Sequence, residues 1–225
     1  MKGKNMPCPM VHLAVAVEMH KPEKSFPSPD FLLGSIAPDA IHMRPGTGKE
    51  DKLLVHLLEQ ADPCRQRARQ LLAYYATEKY EAREFAKGYV CHLLTDDLWY
   101  RTVIEPFFKC VPQELSGEQR RSLYYQETDQ LDFDLYHQAP WRQEVWSGLA
   151  AAKPIDFVGL LTAEEIGHWQ HRTLIWFEEL KQEPMIKPVY ITTLVVHTFI
   201  DKAVAEIAKT LEAWSLASLP SKRDS

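Results

Sequence analysis

The chain lacks an excess of positive charge: 26 lysines and arginines stand against 31 aspartates and glutamates, a formal net charge of -5 at pH 7. A protein whose main task is holding nucleic acid needs a basic field to neutralise phosphates, so no nucleic-acid partner is expected. Cysteine is sparse. Cys8, Cys64, Cys91 and Cys110 are the only four, and none forms a Cys-x-x-Cys pair. This excludes a disulfide scaffold, and reduced thiols in a cytoplasmic protein are expected. Long hydrophobic runs are also missing. A membrane span needs about eighteen consecutive apolar residues. The richest early stretch, Val11 to Val17, contains His12, ends at Glu18 and lies too close to Pro7 and Pro9 to read as a signal peptide. Alternating strand character and internal repeats are absent too.

What remains is helical periodicity on an ordinary globular composition, 45% hydrophobic in 225 residues. The expectation is an all-α, single-domain multi-helix bundle of roughly seven helices over residues 1–217, followed by a polar, disordered tail at 218–225. Met10 to Glu18 has helix length. Ser28-Pro29-Asp30 is a cap with proline at the first helical position and starts a helix at Phe31. Pro38 disfavours helix at Ala37, which leaves Asp39 at a break and free to point inward. Pro45-Gly-Thr-Gly48 has neither P-loop spacing nor a preceding strand and reads as a turn. Cys64 to Thr77 reads as a solvent-facing helix with Leu71, Leu72 and Tyr75 inward and Arg65, Arg67 and Arg69 solvated. Ser116-x-x-Gln119 and Thr162-x-x-Glu165 are capping boxes that open two further helices. Glu165-Ile-Gly-His168 has the Glu-x-x-His spacing of di-iron bundles. A single copy cannot build such a site, so Glu165 reads as the capping acid.

One stretch organises the rest: Phe85-Ala-Lys-Gly-Tyr-Val-Cys-His92-Leu-Leu-Thr-Asp96-Asp97-Leu-Trp99-Tyr100. Its apolar residues recur at helical intervals all round, as in a buried helix, ending at Pro106. His92 and Asp96 lie one turn apart on one face, a geometry that suits a metal ion and equally an ordinary hydrogen-bonded pair. The wider pattern favours the ion. His12, Asp39, His56, His92 and Asp96 each sit in an apolar context, and each is a zinc-type ligand, with His42 a near neighbour. Five buried titratable groups in one domain call for a common partner. His197 and Asp201 repeat the spacing of four without companions. Asp129 and Asp132 share a helix face that is usually solvated. Trp99 and Tyr100 read either as core or as the wall of an apolar cleft.

The order His12, Gly34-Ser-Ile-Ala-Pro38-Asp39, His56, His92-Leu-Leu-Thr-Asp96 resembles the bacterial zinc-dependent phospholipase C family, over roughly the first hundred residues. The resemblance implies an all-helical fold and phosphoester hydrolysis. It also implies one ion on Asp39, His56, His92 and Asp96, and a further ion on His12 that shares Asp96. The family's His-x13-His-x3-Glu does not follow Asp96 here. One or two ions are therefore expected, zinc first and manganese or iron as alternatives, with Asp129 or Asp132 as substitute ligands.

The residues alone imply metal-assisted hydrolysis, because zinc with an open coordination position lowers the pKa of bound water to about 7 and polarises a phosphoryl oxygen. Asp39 and Asp96 are the candidate catalytic carboxylates, as proton acceptor or bridge. The expected substrate is a small-molecule or lipid phosphoester. A helical phosphohydrolase of the His-Asp dipeptide type is disfavoured, since the chain has no such dipeptide. A non-catalytic binding module with a structural ion is the remaining alternative, and a filled tetrahedral site would mark it.

Overall fold

Helix α5 (Tyr80–Trp99) is the axis of the fold. A run from Phe85 to Thr95 is buried apart from Lys87, because four other helices pack around this one. In the computed structural model, which describes residues 9–58, 64–76, 78–179 and 183–216, α1 (Pro9–His20), α2 (Pro29–Gly34), α4 (Cys64–Tyr75) and α10 (Thr193–Leu216) all pack on it. The other helices are α3 (Lys49–Val55), α6 (Glu105–Cys110), α7 (Gly117–Gln138), α8 (Arg142–Ala151) and α9 (Ala163–Glu179). The expected tail at 218–225 lies outside the described residues.

The all-α expectation holds: ten α-helices and no strand occur among the described residues, around one hydrophobic core. The count exceeds roughly seven for a physical reason. Helices α3 and α6 are too short to show a period, and α8 buries only Val145 and Leu149, too few to print a pattern. Nor does the central helix end at Pro106. A π-turn, Tyr100–Ile104, widens the chain just before it and α6 then carries Pro106 in its first turn, where the missing N–H costs no helical hydrogen bond.

Local signals read from sequence appear as geometry. Ser28 Oγ accepts from Phe31 N at 3.2 Å. Ser116 Oγ accepts from Gln119 N at 3.2 Å while Gln119 Oε1 accepts from Ser116 N at 2.8 Å, a complete capping box. Two glycines set the decisive helix crossing. A Cβ on Gly34 would stand 2.1 Å from the Phe85 carbonyl oxygen, and one on Gly88 would stand 2.1 Å from that of Phe31. Helices α2 and α5 therefore touch backbone to backbone, which any larger residue would prevent. Glu127 of α7 accepts N–H bonds from Val189, Tyr190 and Ile191, fixing the irregular segment that leads into α10.

Candidate metal centre

The glycine crossing carries directly into the site. One turn beyond Gly88, His92 is fully buried and its Nδ1 lies 2.9 Å from the carbonyl oxygen of Ser35, the residue after Gly34. A carbonyl only accepts, so Nδ1 carries a proton, and in the neutral ring it is Nε2 that presents its lone pair to the carboxylates. His56, at the C-terminal end of α3, is oriented in the same way by Nδ1 donating to the Lys52 carbonyl at 2.9 Å. Helix α5 also reaches that end: Tyr89 donates its hydroxyl to the Val55 carbonyl at 2.6 Å. Leu57, next to His56, holds a left-handed backbone with φ 55, a strained conformation for a branched side chain. His12 comes from the apolar helix α1 and stacks on His92, ring centroids 3.8 Å apart and 10° from parallel.

These imidazoles converge on two carboxylates. Asp96 Oδ1 is 3.3 Å from His12 Nε2, while its Oδ2 is 3.2 Å from His92 Nε2 and 3.6 Å from His56 Nε2. Asp39, buried in the 3-10 segment Ala37–Met43, places Oδ1 3.8 Å from His56 Nε2. Ligand atoms of His12, Asp39 and His92 lie within 4.8 Å of one another, as do those of His56, His92 and Asp96. All five residues singled out from sequence are thus brought together, in two triplets that share His92. One side is open to solvent: the Asp96 side chain is 38% exposed although its oxygens face the imidazoles.

Electrostatics set the protonation of the protein without an ion. Burial pushes the His92 pKa down, but the Asp96 and Asp39 carboxylates and the Ser35 carbonyl outweigh it and raise the value to about 9. Burial and the neighbouring His92 hold His12 below the usual histidine value. The protein around the Asp96 carboxyl pushes its pKa up, yet His92 and His12 keep it well below the ordinary carboxylate range. His92 Nε2 and His12 Nδ1 are buried with no hydrogen-bond partner among the described residues. His92 Nε2 beside the Asp96 and Asp39 carboxylates, with the Nδ1 atoms of His92 and His56 tied to backbone carbonyls, fits a zinc-type cation.

Other candidates fall elsewhere. Thr162 and Glu165 form the expected capping box, and Glu165 also accepts from Arg44 Nε at 2.6 Å, which confirms its structural role. His168, His197 and Asp201 are exposed. Trp99 is core, its Nε1 donating to Tyr124 at 2.9 Å, whereas Tyr100 faces solvent at the π-turn. Asp132 is buried under the start of α1, where it accepts from Met10 N at 3.3 Å, and joins neither triplet. Burial, Asp129 and Asp39 push its pKa well above the usual value. Sequence reasoning missed Ser35, Lys52 and Tyr89, which act through main-chain carbonyls or reach distant ones. The usable signal was Gly34 and Gly88, glycines inside helical patterns that mark close backbone approach.

The fold and site define a helical protein with a His and Asp cluster of metal-ligand type at its axis. No family model, curated protein or solved structure matches the chain, and no helix of the described residues is long and apolar enough to cross a membrane.

Proposed function

We propose that this protein is a metal-dependent phosphoester hydrolase, similar to zinc-dependent phospholipase C, acting on a small-molecule or lipid-like phosphoester. The observation that carries the reading is the convergence of three imidazoles and two carboxylates, with His92 and His56 held in one tautomer by carbonyls. His12, Asp39, His56, His92 and Asp96 would hold one or two zinc-type ions. Such an ion supplies Lewis-acid polarisation of a phosphoryl oxygen and brings the pKa of a water to about 7. The chain's residues do the rest. The Ser35 and Lys52 carbonyls keep the imidazoles aimed, Asp39 is the buried proton acceptor, and Asp96 spans from His12 to His56 through its two oxygens. The partial exposure of Asp96 favours an exchangeable position over a closed structural site.

The test is a screen of chromogenic phosphomonoesters, phosphodiesters and phosphatidylcholine with metal-loaded protein at neutral pH. Hydrolysis is expected, abolished by a chelator and restored by zinc or manganese. Activity that survives Asp39→Asn removes Asp39 from the mechanism. Silence on every ester at full metal occupancy overturns the hydrolase and leaves a structural ion.

A further inference from the structure

The segment that supplies Asp39 also supplies His42. Three residues complete a turn of a 3-10 helix, so the two side chains leave one face of Ala37–Met43. Helix α9 packs along that segment. Its Trp169 ring lies 6.1 Å from the half-buried His42 ring. Arg172, almost one turn on, rests its guanidinium carbon 5.9 Å from the Trp169 ring centre and 5.6 Å from that of Trp176. Two nearby acids, Glu165 at the start of α9 and Asp51 of α3, are already engaged by Arg44, at 2.6 Å and 3.7 Å. Arg172 pairs with no carboxylate among the described residues. Burial keeps His42 below the usual histidine pKa against the pull of Asp39, and the charges of Lys52 and Arg172 both reach it. It is a neutral hydrogen-bonding group at pH 7, reached by the Arg172 charge and sharing Trp169 with it as a neighbour.

We propose that Arg172 and His42 form an anion subsite adjoining the metal cluster, so that the substrate is a phosphoester whose organic part carries a second negative group, a carboxylate or a phosphate. This rests on the hydrolase reading for the scissile phosphate. The guanidinium is held by cation–π contact with two indoles, so its forked donors are free for an oxyanion and little further ordering is needed to bind one. A quaternary ammonium head group would meet a guanidinium where it needs an acid or an open aromatic face, and Trp169 is buried.

Titration calorimetry on the full chain, loaded with zinc and freed of excess ion, decides with two probes that differ in one carboxylate: phosphoglycerate and glycerol phosphate. Phosphoglycerate is expected to bind about tenfold more tightly, as one charge-assisted contact provides. Arg172→Gln should erase that preference and leave glycerol phosphate binding unchanged, Arg172→Lys should keep part of it, and His42→Gln should reduce it. Equal affinities for the two probes, binding of neither, or loss of both in a folded Arg172→Gln would each overturn the subsite. Phosphate release is measured separately. A tenfold preference together with silence in the ester screen supports the subsite and removes the hydrolase, whereas hydrolysis in the screen without preference does the reverse.

Discussion

Two histidine–aspartate pairs in this chain share a spacing of four on long helices and have opposite fates. His92 and Asp96 meet at 3.2 Å inside the molecule, with His12, His56 and Asp39 around them. His197 and Asp201 of α10 are exposed, and no ion pair joins them among the described residues. The difference lies in what crosses each helix. Helix α5 is packed by α1, α2, α4 and α10, and α2 comes near enough at Gly34 and Gly88 to put a carbonyl on the back of the His92 ring. Helix α10 buries Val196, Phe199, Ile200, Ala203 and Ile207 and turns its His and Asp outward. Spacing along a helix brings two side chains to one face; tertiary crossing decides whether that face is a site.

The largest expected effect separates the pairs by metal content. His92→Ala and Asp96→Asn should each lower bound metal at least tenfold, the loss typical of removing a ligand or its support. His197→Ala and His168→Ala should leave it unchanged. Elemental analysis of protein grown with added zinc measures this. Equal content in all four variants would place the ion elsewhere.

Next in size is the crossing itself. Gly88→Ala puts a methyl group against the Phe31 carbonyl oxygen, where only 2.1 Å is open. Separating α2 from α5 should cost about 3 kcal/mol, the upper end for overpacking. The same shift pulls Ser35 from His92 and should weaken the ion site as well. Denaturant unfolding and zinc titration of one variant test both. A stable Gly88→Ala that binds zinc normally would mean that the crossing does not position the site.

Much of this was legible in the sequence, and the limits are physical. The five candidate ligands could be picked out because burying imidazole and carboxylate without a partner is costly, and each sat among apolar residues. The capping boxes at Ser116 and Thr162 could be read because their hydrogen bonds close within four residues. The groups that aim the ligands left no such trace. The Ser35 and Lys52 carbonyls are backbone atoms, carried by every residue type, and their role comes only from which chain segment lies opposite. The continuation through Pro106 was hidden for a similar reason, since a π-turn is a response to packing rather than a residue pattern. His42 and Arg172 are more than a hundred positions apart in sequence, and only the packing of α9 on Ala37–Met43 brings the Arg172 charge within reach of His42.

The smallest effect is also the most direct comparison: double-mutant cycles on ion-free protein, pairing His92→Gln with Asp96→Asn and His197→Gln with Asp201→Asn. The surface pair should couple by less than about 0.5 kcal/mol at any pH, because solvent screens it and two flexible side chains lose entropy in meeting. The His92–Asp96 pair should couple by about 1–2 kcal/mol near pH 6, less than a fully enclosed pair because the Asp96 side chain is 38% exposed and partly screened. Its pH dependence follows from the raised His92 value of about 9, against 6.5 for an unperturbed imidazole. A histidine whose pKa is higher in the folded state contributes stability that is complete below pH 6.5 and is lost as pH rises through about 9. The His92–Asp96 coupling should therefore shrink over that window while the surface value stays flat. Zinc should reverse the trend: it requires neutral His92, so its binding at pH 7 must expel a proton and tighten as pH rises toward 9. Coupling that is independent of pH would show that His92 is already neutral in the ion-free fold, and the two pairs would then differ in burial alone and not in charge.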